Sequence, residues 1–459
     1  MKKTNIHAEN KSDKTITKDH LTESINSALD ARDDNALKNL ITSIHYADLA
    51  DYLNFANYDQ RAKIVKIIDY RIDPEILLEF EYDVLRSLRK IFGKKRFFNL
   101  VNALNVTDTL ALIEDLEEEE KHDIITHSPA EKRKQVIKGL SYPKNSAGIL
   151  MLRDYVVVGK NKTVGQVLGY LTGNKDLPDD YDEIFIVDST ERPVGSIHIS
   201  KLIRHKKTEK IHSIMNHDLK MIDVSLDQEE VAYMFKHYDL TSAPVVDRRK
   251  KMVGVIYTDQ IVEVIEEEAE EDIMKLGGIN VSDLYSAFFK TAMQRFPWLF
   301  FNLLTACLVS LIISSFRDQV EQKIILAAIM TIVASMGGNA GTQSVTVSVR
   351  AIANKDITTS NIKHVVLKEA AAGALNGVLL GLIGGAILFL LYRDYDVCMV
   401  FALSVTLNFI LAGFWGAMVP ITIDKIGLDP AISSGVFLTF LTDFLGFFVF
   451  LGLASLLIL

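Results

Sequence analysis

Apolar residues are spaced along the first 290 positions and run together after them. In residues 20–140 they recur three and four apart, as in ADLADYLNF and EILLEFEYDVLRSL, the period of a helix with one buried stripe. Glycine is almost absent there, with Gly93 the only one before Gly139. The pattern predicts an all-helical domain of short helices, either a stacked superhelix or a plain bundle. Ser128-Pro129 with Glu131 reads as a helix start: N-cap, N1 and capping box. Over residues 146–265 the period shortens to β-branched runs broken by turns. From about residue 297 come five apolar stretches, 297–316, 324–350, 365–392, 397–423 and 430–459. Each is near the roughly 20 residues that a bilayer-spanning helix needs. The third and fourth are rich in glycine (AAGALNGVLLGLIGGA), which lets helices approach closely.

The middle region is duplicated. "IFIVDSTERPVGSIHISKLI" and "APVVDRRKKMVGVIYTDQIV" share one plan at an offset of 59 residues. A strand ends in Asp188 or Asp247, a turn follows, then Val-Gly at 194–195 or 253–254, a second strand and a helix. The upstream segments around Met151 and Met215 correspond as well. This internal repeat resembles a tandem CBS-domain pair, a regulatory module and not a catalytic one. Next comes EVIEEEAEED, residues 263–272, with seven acidic residues in ten and none basic. Such a run is ordinarily a solvated helix face. Here it leads within about 25 residues into the first apolar stretch, and carboxylates are hard oxygen ligands suited to Mg²⁺ or Ca²⁺. The sharper reading is a cation-sensitive connecting helix.

Charge divides the chain at the same place. Residues 291–459 hold 9 Lys/Arg and 9 Asp/Glu against 41 and 50 in residues 1–290, so the net charge of −9 belongs to the N-terminal part. The start has no apolar leader, and the soluble part is expected to stay in the cytoplasm. Seven Lys/Arg flank one side of the spans, Arg350 and Lys425 among them, against Arg317, Lys323 and Arg393 on the other. That imbalance places the N-terminal part inside and the C-terminus outside. The two cysteines, Cys307 and Cys398, imply neither a disulfide framework nor a thiolate metal site. No GxxxxGK[ST] and no HExxH occur, which argues against an ATPase or a zinc protease; an enzyme is not expected.

One acidic residue lies deep in a span: Asp443, in FLTFLTDFLGFFVF. An ionised carboxylate at mid-bilayer costs at least about 2.5–3.5 kcal/mol, so such a group lines a pathway or sits protonated against a neighbouring helix. Asp443 is 13 residues after Pro430, roughly 20 Å from the inner end of its helix. Asn339, in MGGNAGTQSVT, is 16 residues after Lys323, roughly 24 Å from the outer end. Across a membrane of about 45 Å the two heights nearly coincide. Gly337, Gly338 and Gly341 then permit close backbone approach and exposed carbonyls, and Asn339, Thr342 and Gln343 add neutral oxygens; the same residues also suit plain helix packing. No histidine lies inside a span. One carboxylate with neutral oxygens fits a hard cation. Mg²⁺ dehydrates reluctantly, so a sparse site holding it with its waters would suit it. A dication entering down 100 mV gains roughly 4.6 kcal/mol and needs no ATP.

The whole pattern resembles the MgtE family of magnesium channels over nearly the full length. The residues that carry the likeness are EEEAEEDIMKLGG, RFPWLFFNLLTA, MGGNAGTQSVTVSVRAIA, LKEAAAGALNG and LDPAISSGVFLTFLTDFLG. The resemblance implies a multi-domain fold: a disordered tail (1–19), a superhelical α-helical N-domain (20–140), an α/β tandem CBS pair (141–258), a connecting or plug helix (259–290) and an all-α transmembrane domain of five helices (291–459). It implies a homodimer in the lipid membrane, with a pore on the two-fold axis, that takes up Mg²⁺ and is gated by Mg²⁺ in the cytosolic part. Asp443 would be the selectivity carboxylate, with Gly338, Asn339, Thr342 and Thr439 near the same hydrated ion. Asp227, Glu229, Asp239, Glu263, Glu268, Glu271 and Asp272 would be the sensing acids. ATP at the CBS pair is a further ligand to consider; nucleic acid is not expected. Thr342 stands where some relatives have Asn, and Thr331 replaces a common proline. Thr107 and Leu112 stand where the family often has aspartates, and Gln260 where their acidic partner lies. Mg²⁺ bridging between the N-domain and the connecting helix is therefore expected to be weak or lost. The alternatives are a broader divalent channel (Co²⁺, Mn²⁺, Ca²⁺) and a membrane-tethered CBS sensor without transport.

Overall fold

The computed structural model describes residues 18–68, 72–114, 116–178, 181–279 and 288–458. Residues 1–17 of the expected tail and 280–287 of the expected connecting segment lie outside the described residues. The chain divides into two compact units, Met1–Val264 and Ile265–Leu459.

The first unit opens with short helices, from Lys18–Asp30 to Ala130–Gly139, with one 3₁₀ turn, Pro74–Leu77. Each packs on helices one or two along the chain, and their apolar stripes merge into one core running from Leu21 to Ile149. The helix Tyr82–Phe92 is representative: Val84, Leu85 and Leu88 are buried, while Arg89 on its outer side bonds Glu120 at 3.0 Å and Asp123 at 2.7 Å. The expected capping box at Ser128 does not form. The last helix starts after Pro129 with no side-chain cap, because the Ser128 hydroxyl turns back to the Ile124 carbonyl at 2.9 Å. A capping box does occur at Thr163 and Gln166.

The duplicated region forms two three-stranded sheets of identical topology: β1 (Val157–Gly159), β2 (Glu183–Val187) and β3 (Pro193–His198), then β4 (Ile222–Asp223), β5 (Ser242–Val246) and β6 (Met252–Tyr257). In each, a parallel pair is followed by an antiparallel one. A bulge falls at Ile186/Val187 in the first and at Val245/Val246 in the second, again 59 residues apart. The Val-Gly steps have a packing reason. A Cβ on Gly195 would lie 2.8 Å from the Met215 sulfur, and one on Gly254 would lie 2.6 Å from the Met151 sulfur. Each repeat thus inserts its leading methionine against the glycine of the other. The equivalent residues Glu183 and Ser242 also meet, with the Ser242 hydroxyl donating to the Glu183 carboxylate.

The connecting helix is continuous over Thr258–Leu276; Val264 closes the first unit and Ile265 opens the second. Five long helices follow: α1 (Phe288–Ser315), α2 (Ile325–Ala353), α3 (Ile362–Tyr392), α4 (Tyr395–Lys425) and α5 (Pro430–Leu457). All five are long and apolar enough to cross a membrane. The first begins nine residues before the expected position, with Pro297 inside it; a proline in an apolar span is tolerated where neighbours re-satisfy the freed carbonyl. The most extensive packing is between α3 and α4, followed by α2 with α4, α4 with α5, and α2 with α5. Gly377 and Gly381 of α3 sit against backbone of α4: an added Cβ would lie 2.8 Å from the Thr406 Cα and 2.7 Å from the Ala402 carbonyl oxygen.

Candidate functional site

Helix α2 is helical throughout, so the glycines of MGGNAGTQS do not unwind it. Their carbonyls stay in the helix, contrary to the expectation of exposed backbone oxygens. Gly337 and Gly341 are buried and let α2 approach its neighbours. A Cβ on Gly341 would meet Leu438 at 2.9 Å and Thr442 at 3.1 Å, and one on Gly338 would lie 4.0 Å from the Thr442 hydroxyl oxygen. Thr442 precedes Asp443 in α5. The polar stretch of α2 and the carboxylate of α5 therefore stand at one height within the second unit, as the residue counts predict.

The opposite face of α2 is polar and open. Ser335, Asn339, Thr342 and Thr346 are exposed in the single chain, at the spacing of one helix face. Thr439 on α5 is exposed too, and Asp443 is half-buried. The threonines share a bonding pattern. Thr342 donates to the Gly338 carbonyl at 3.0 Å, Thr346 to the Thr342 carbonyl at 2.9 Å and Thr439 to the Gly435 carbonyl at 2.9 Å. A hydroxyl whose hydrogen is engaged presents its lone pairs outward as an acceptor. Acceptors are what the outward-pointing hydrogens of a hydrated cation require. Among the described residues no three His, Cys, Asp or Glu side chains are grouped to hold a bare metal.

Two further contacts in the second unit link this region to the end of the connecting helix. A Cβ on Gly435, one turn before Thr439, would lie 3.0 Å from the Leu276 carbonyl oxygen, and the Leu276 side chain packs with Val345, Val349, Ala431 and Leu438. Beside it Lys275 Nζ reaches Glu271 at 2.5 Å and Asp429 at 2.6 Å. Asp429 also caps α5, accepting the Ala431 N–H at 2.8 Å. Burial pulls the Lys275 ammonium down, but hydrogen bonds to Asp429 and Glu271 outweigh it and hold it above the usual lysine range. Burial, with the charges of Asp429 and Glu271, raises the Asp272 carboxyl despite Lys275.

The acids expected to sense Mg²⁺ are divided between the two units: Asp227, Glu229, Asp239 and Glu263 belong to the first, and Glu268, Glu271 and Asp272 to the second. Asp227 and Glu229 stand at the start of the helix Gln228–Tyr238, where Asp227 accepts the Glu229 N–H at 3.0 Å. Asp239 ends the same helix in the left-handed region, φ 52°, 12 residues after Asp227 and so roughly 18 Å away. All three are exposed. Glu263, on an accessible face of the connecting helix, belongs to the first unit. Its carboxyl is raised by partial burial of the group and by Asp259, Glu79 and Asp108. Asp108 is raised as well, by burial first and by Glu75. Glu268 lies a turn and a half beyond Glu263 in the second unit.

The residues that depart from the family are engaged structurally. Thr107 donates to the Met151 carbonyl at 2.8 Å, Leu112 is buried, and Gln260 accepts the Tyr257 N–H at 2.9 Å. Four residues that take part are not among the sequence expectations. Lys275 and Asp429 form a pair, signalled by a lone base in an acidic run and by an Asp-Pro helix start. Glu369 of α3 accepts the Ser344 hydroxyl of α2 at 2.8 Å. Asn408 of α4 is fully buried. Neither of the last two carries a local pattern that marks it.

Comparison with known proteins agrees along the chain. The family described as "MgtE: Divalent cation transporter" matches residues 330–453, "MgtE intracellular N domain" matches 44–145, and "CBS domain" matches 211–267. The magnesium transporter MgtE of Thermus thermophilus is 34% identical, covering 69% of this chain and 71% of its own. That of Enterococcus faecalis is 29% identical, covering 71% and 72%. Among solved structures, the cytosolic domain of the Mg²⁺ channel MgtE in complex with ATP is similar at 24% identity and TM-score 0.48, covering 53% of this chain and 99% of that one.

Proposed function

The chain belongs to the MgtE family of magnesium transporters, and from that membership we propose that it conducts Mg²⁺ inward with its waters past Asp443. One observation carries this reading: the exposed polar strip of α2, at the height of a half-buried carboxylate on α5. A strip of hydroxyls and amides is poorly placed against lipid. It suits a water-filled path, and a second copy of the chain facing it across a two-fold axis would complete the path with a second Asp443. Asn339, Thr342 and Thr439 then receive hydrogens from the ion's water shell, while Gly338 gives the backbone proximity. Entry down the membrane potential supplies the driving force.

Gating belongs to the same proposal. The Leu276 contact with α5 supports a closed pore when the connecting helix is held in place. Asp227, Glu229, Asp239, Glu263, Glu268, Glu271 and Asp272 are the acids whose repulsion Mg²⁺ would relieve, and ATP at the CBS pair would add a second cytosolic input. The N-terminal part is cytoplasmic in this reading and the C-terminus outside. The description "Divalent cation transporter" favours one alternative, a path that also passes Co²⁺, Mn²⁺ or Ca²⁺. The test is Mg²⁺ uptake into liposomes under an applied potential. Wild type should take up Mg²⁺, and Asp443→Ala should lose uptake by at least tenfold; equal uptake by both overturns the pathway. Competition by Ca²⁺ and Co²⁺ in the same assay separates a selective path from a broad one.

A further inference from the structure

Asn408 is a polar residue with no exposed surface in the middle of the apolar helix α4. Its Nδ2–H donates to the Val333 carbonyl of α2 at 2.8 Å. The same amide occupies the space beside two glycines. A Cβ on Gly337 of α2 would lie 2.7 Å from the Asn408 Cγ, and one on Gly446 of α5 would lie 3.0 Å from its Nδ2. Both glycines adjoin the proposed ion path from behind. Gly337 precedes Gly338 and Asn339, and Gly446 follows Asp443 by less than one turn. Gly446 also brings α5 onto α2, where its added Cβ would lie 3.4 Å from the Ala334 Cα.

Apolar helix faces in a membrane hold together by shape and can slide, whereas a hydrogen bond is directional. One amide that bonds α2 and wedges against both α2 and α5 fixes the offset along their axes. A slip of one residue moves a side chain by about 1.5 Å, enough to spoil the fit of a hydrated ion between the strip and the carboxylate. We propose that Asn408 is the positioning residue of the ion path: from behind, it sets the height of the α2 polar strip relative to Asp443, and with it the discrimination among divalent cations. This rests on the pathway reading above.

The test uses the full chain in liposomes, with Mg²⁺ uptake measured over a range of Mg²⁺ and against Ca²⁺ as competitor. Asp443→Ala is the control for the pathway itself: uptake at the wild-type level there overturns the pathway, whatever Asn408 does. With that control inactive, Asn408→Leu should raise the half-saturating Mg²⁺ concentration and the effectiveness of Ca²⁺ competition by roughly tenfold, as small misplacements at a site do. Its maximal rate should change by less than about threefold. Wild-type affinity and competition in Asn408→Leu overturn the inference. Gly337→Ala, which puts a methyl where the amide sits, should lower discrimination in the same way. The pair Gly337→Ala with Asn408→Ala makes room for that methyl without restoring the hydrogen bond. It should recover thermal stability but not discrimination, and it serves even if Asn408→Leu does not fold. Recovery of wild-type discrimination by the pair would leave Asn408 a packing role only and overturn the inference.

Discussion

A carboxyl crowded by other carboxyls holds its proton more tightly than it would in an unfolded chain. Glu263 and Asp108 are in that position, raised by burial first and by neighbouring acids second. The stability linked to their protonation is complete below the unfolded carboxylate values near pH 4 and is lost as pH rises through the raised folded values. Above those raised values the charged carboxyls oppose folding. Glu263→Gln in the full chain should therefore raise the melting temperature near neutral pH by roughly 1–3 °C at low Mg²⁺. It should also flatten the fall in melting temperature as pH rises from the unfolded carboxylate range near pH 4 towards neutrality; an unchanged pH slope counts against this account. How much of this scale was legible in the sequence depends on the residue. Asp443 was visible because a lone charge in an apolar run is conspicuous. Thr107 and Gln260 were visible as departures from a family pattern, but not the bonds that now occupy them. Asn408 and Glu369 escaped, because a single polar residue on a helix gives no sign of which neighbour it will meet.

Elements were more legible than their contacts. The five spans follow from hydropathy alone, and α5 starts at Pro430 with Asp429 as its cap, as a Pro in the first turn favours. Proline is an ambiguous marker of a helix start: Pro129 precedes its helix and Pro297 lies nine residues inside one, although each also suits a first position. The glycine-rich spans were expected to pack closely, but the seam could not be drawn without coordinates. Gly373, Gly377, Gly381 and Gly385 form a stripe on α3 at every fourth position, and all four are buried. Gly373, Gly377 and Gly381 meet α4 backbone too closely for a side chain, whereas a Cβ on Gly385 would lie 3.4 Å from the Cys398 carbonyl oxygen, an ordinary contact distance. Gly377→Leu or Gly381→Leu should lower stability by about 1–3 kcal/mol or more, as overpacking does. Gly385→Ala should be nearly neutral. Thermal denaturation in detergent measures all three, and a Gly381→Leu protein melting like wild type would contradict the seam.

For the whole molecule the informative feature is a single lysine in an acidic run. Lys275 joins the last turn of the connecting helix to Asp429 at the start of α5, the helix that carries Asp443. Removing its charge leaves Glu271, Asp272 and Asp429 facing one another without a cation. Under the proposed gating, Lys275→Met and Asp429→Asn should each loosen the connecting helix and raise channel opening at a given cytosolic Mg²⁺. The double variant should differ from the sum of the two by about 0.5–3 kcal/mol, as contacting residues do. Patch recordings across a Mg²⁺ titration give the opening midpoints; strictly additive shifts would mean the ion pair plays no part. The layout of domains was readable because the chain repeats itself at a fixed offset and changes hydropathy abruptly. What was not readable is where charge partners meet, since Lys275 and Asp429 lie far apart in sequence.

The repeated bulge says something about origin. An irregularity at Ile186/Val187 recurs at Val245/Val246, although the two segments now share few identical residues. Matching defects are hard to acquire twice by chance at the same position. The turn that follows matches too: Asp188 and Asp247 each accept the N–H groups two and four residues on, so the same local chemistry closes the bulged hairpin in both halves.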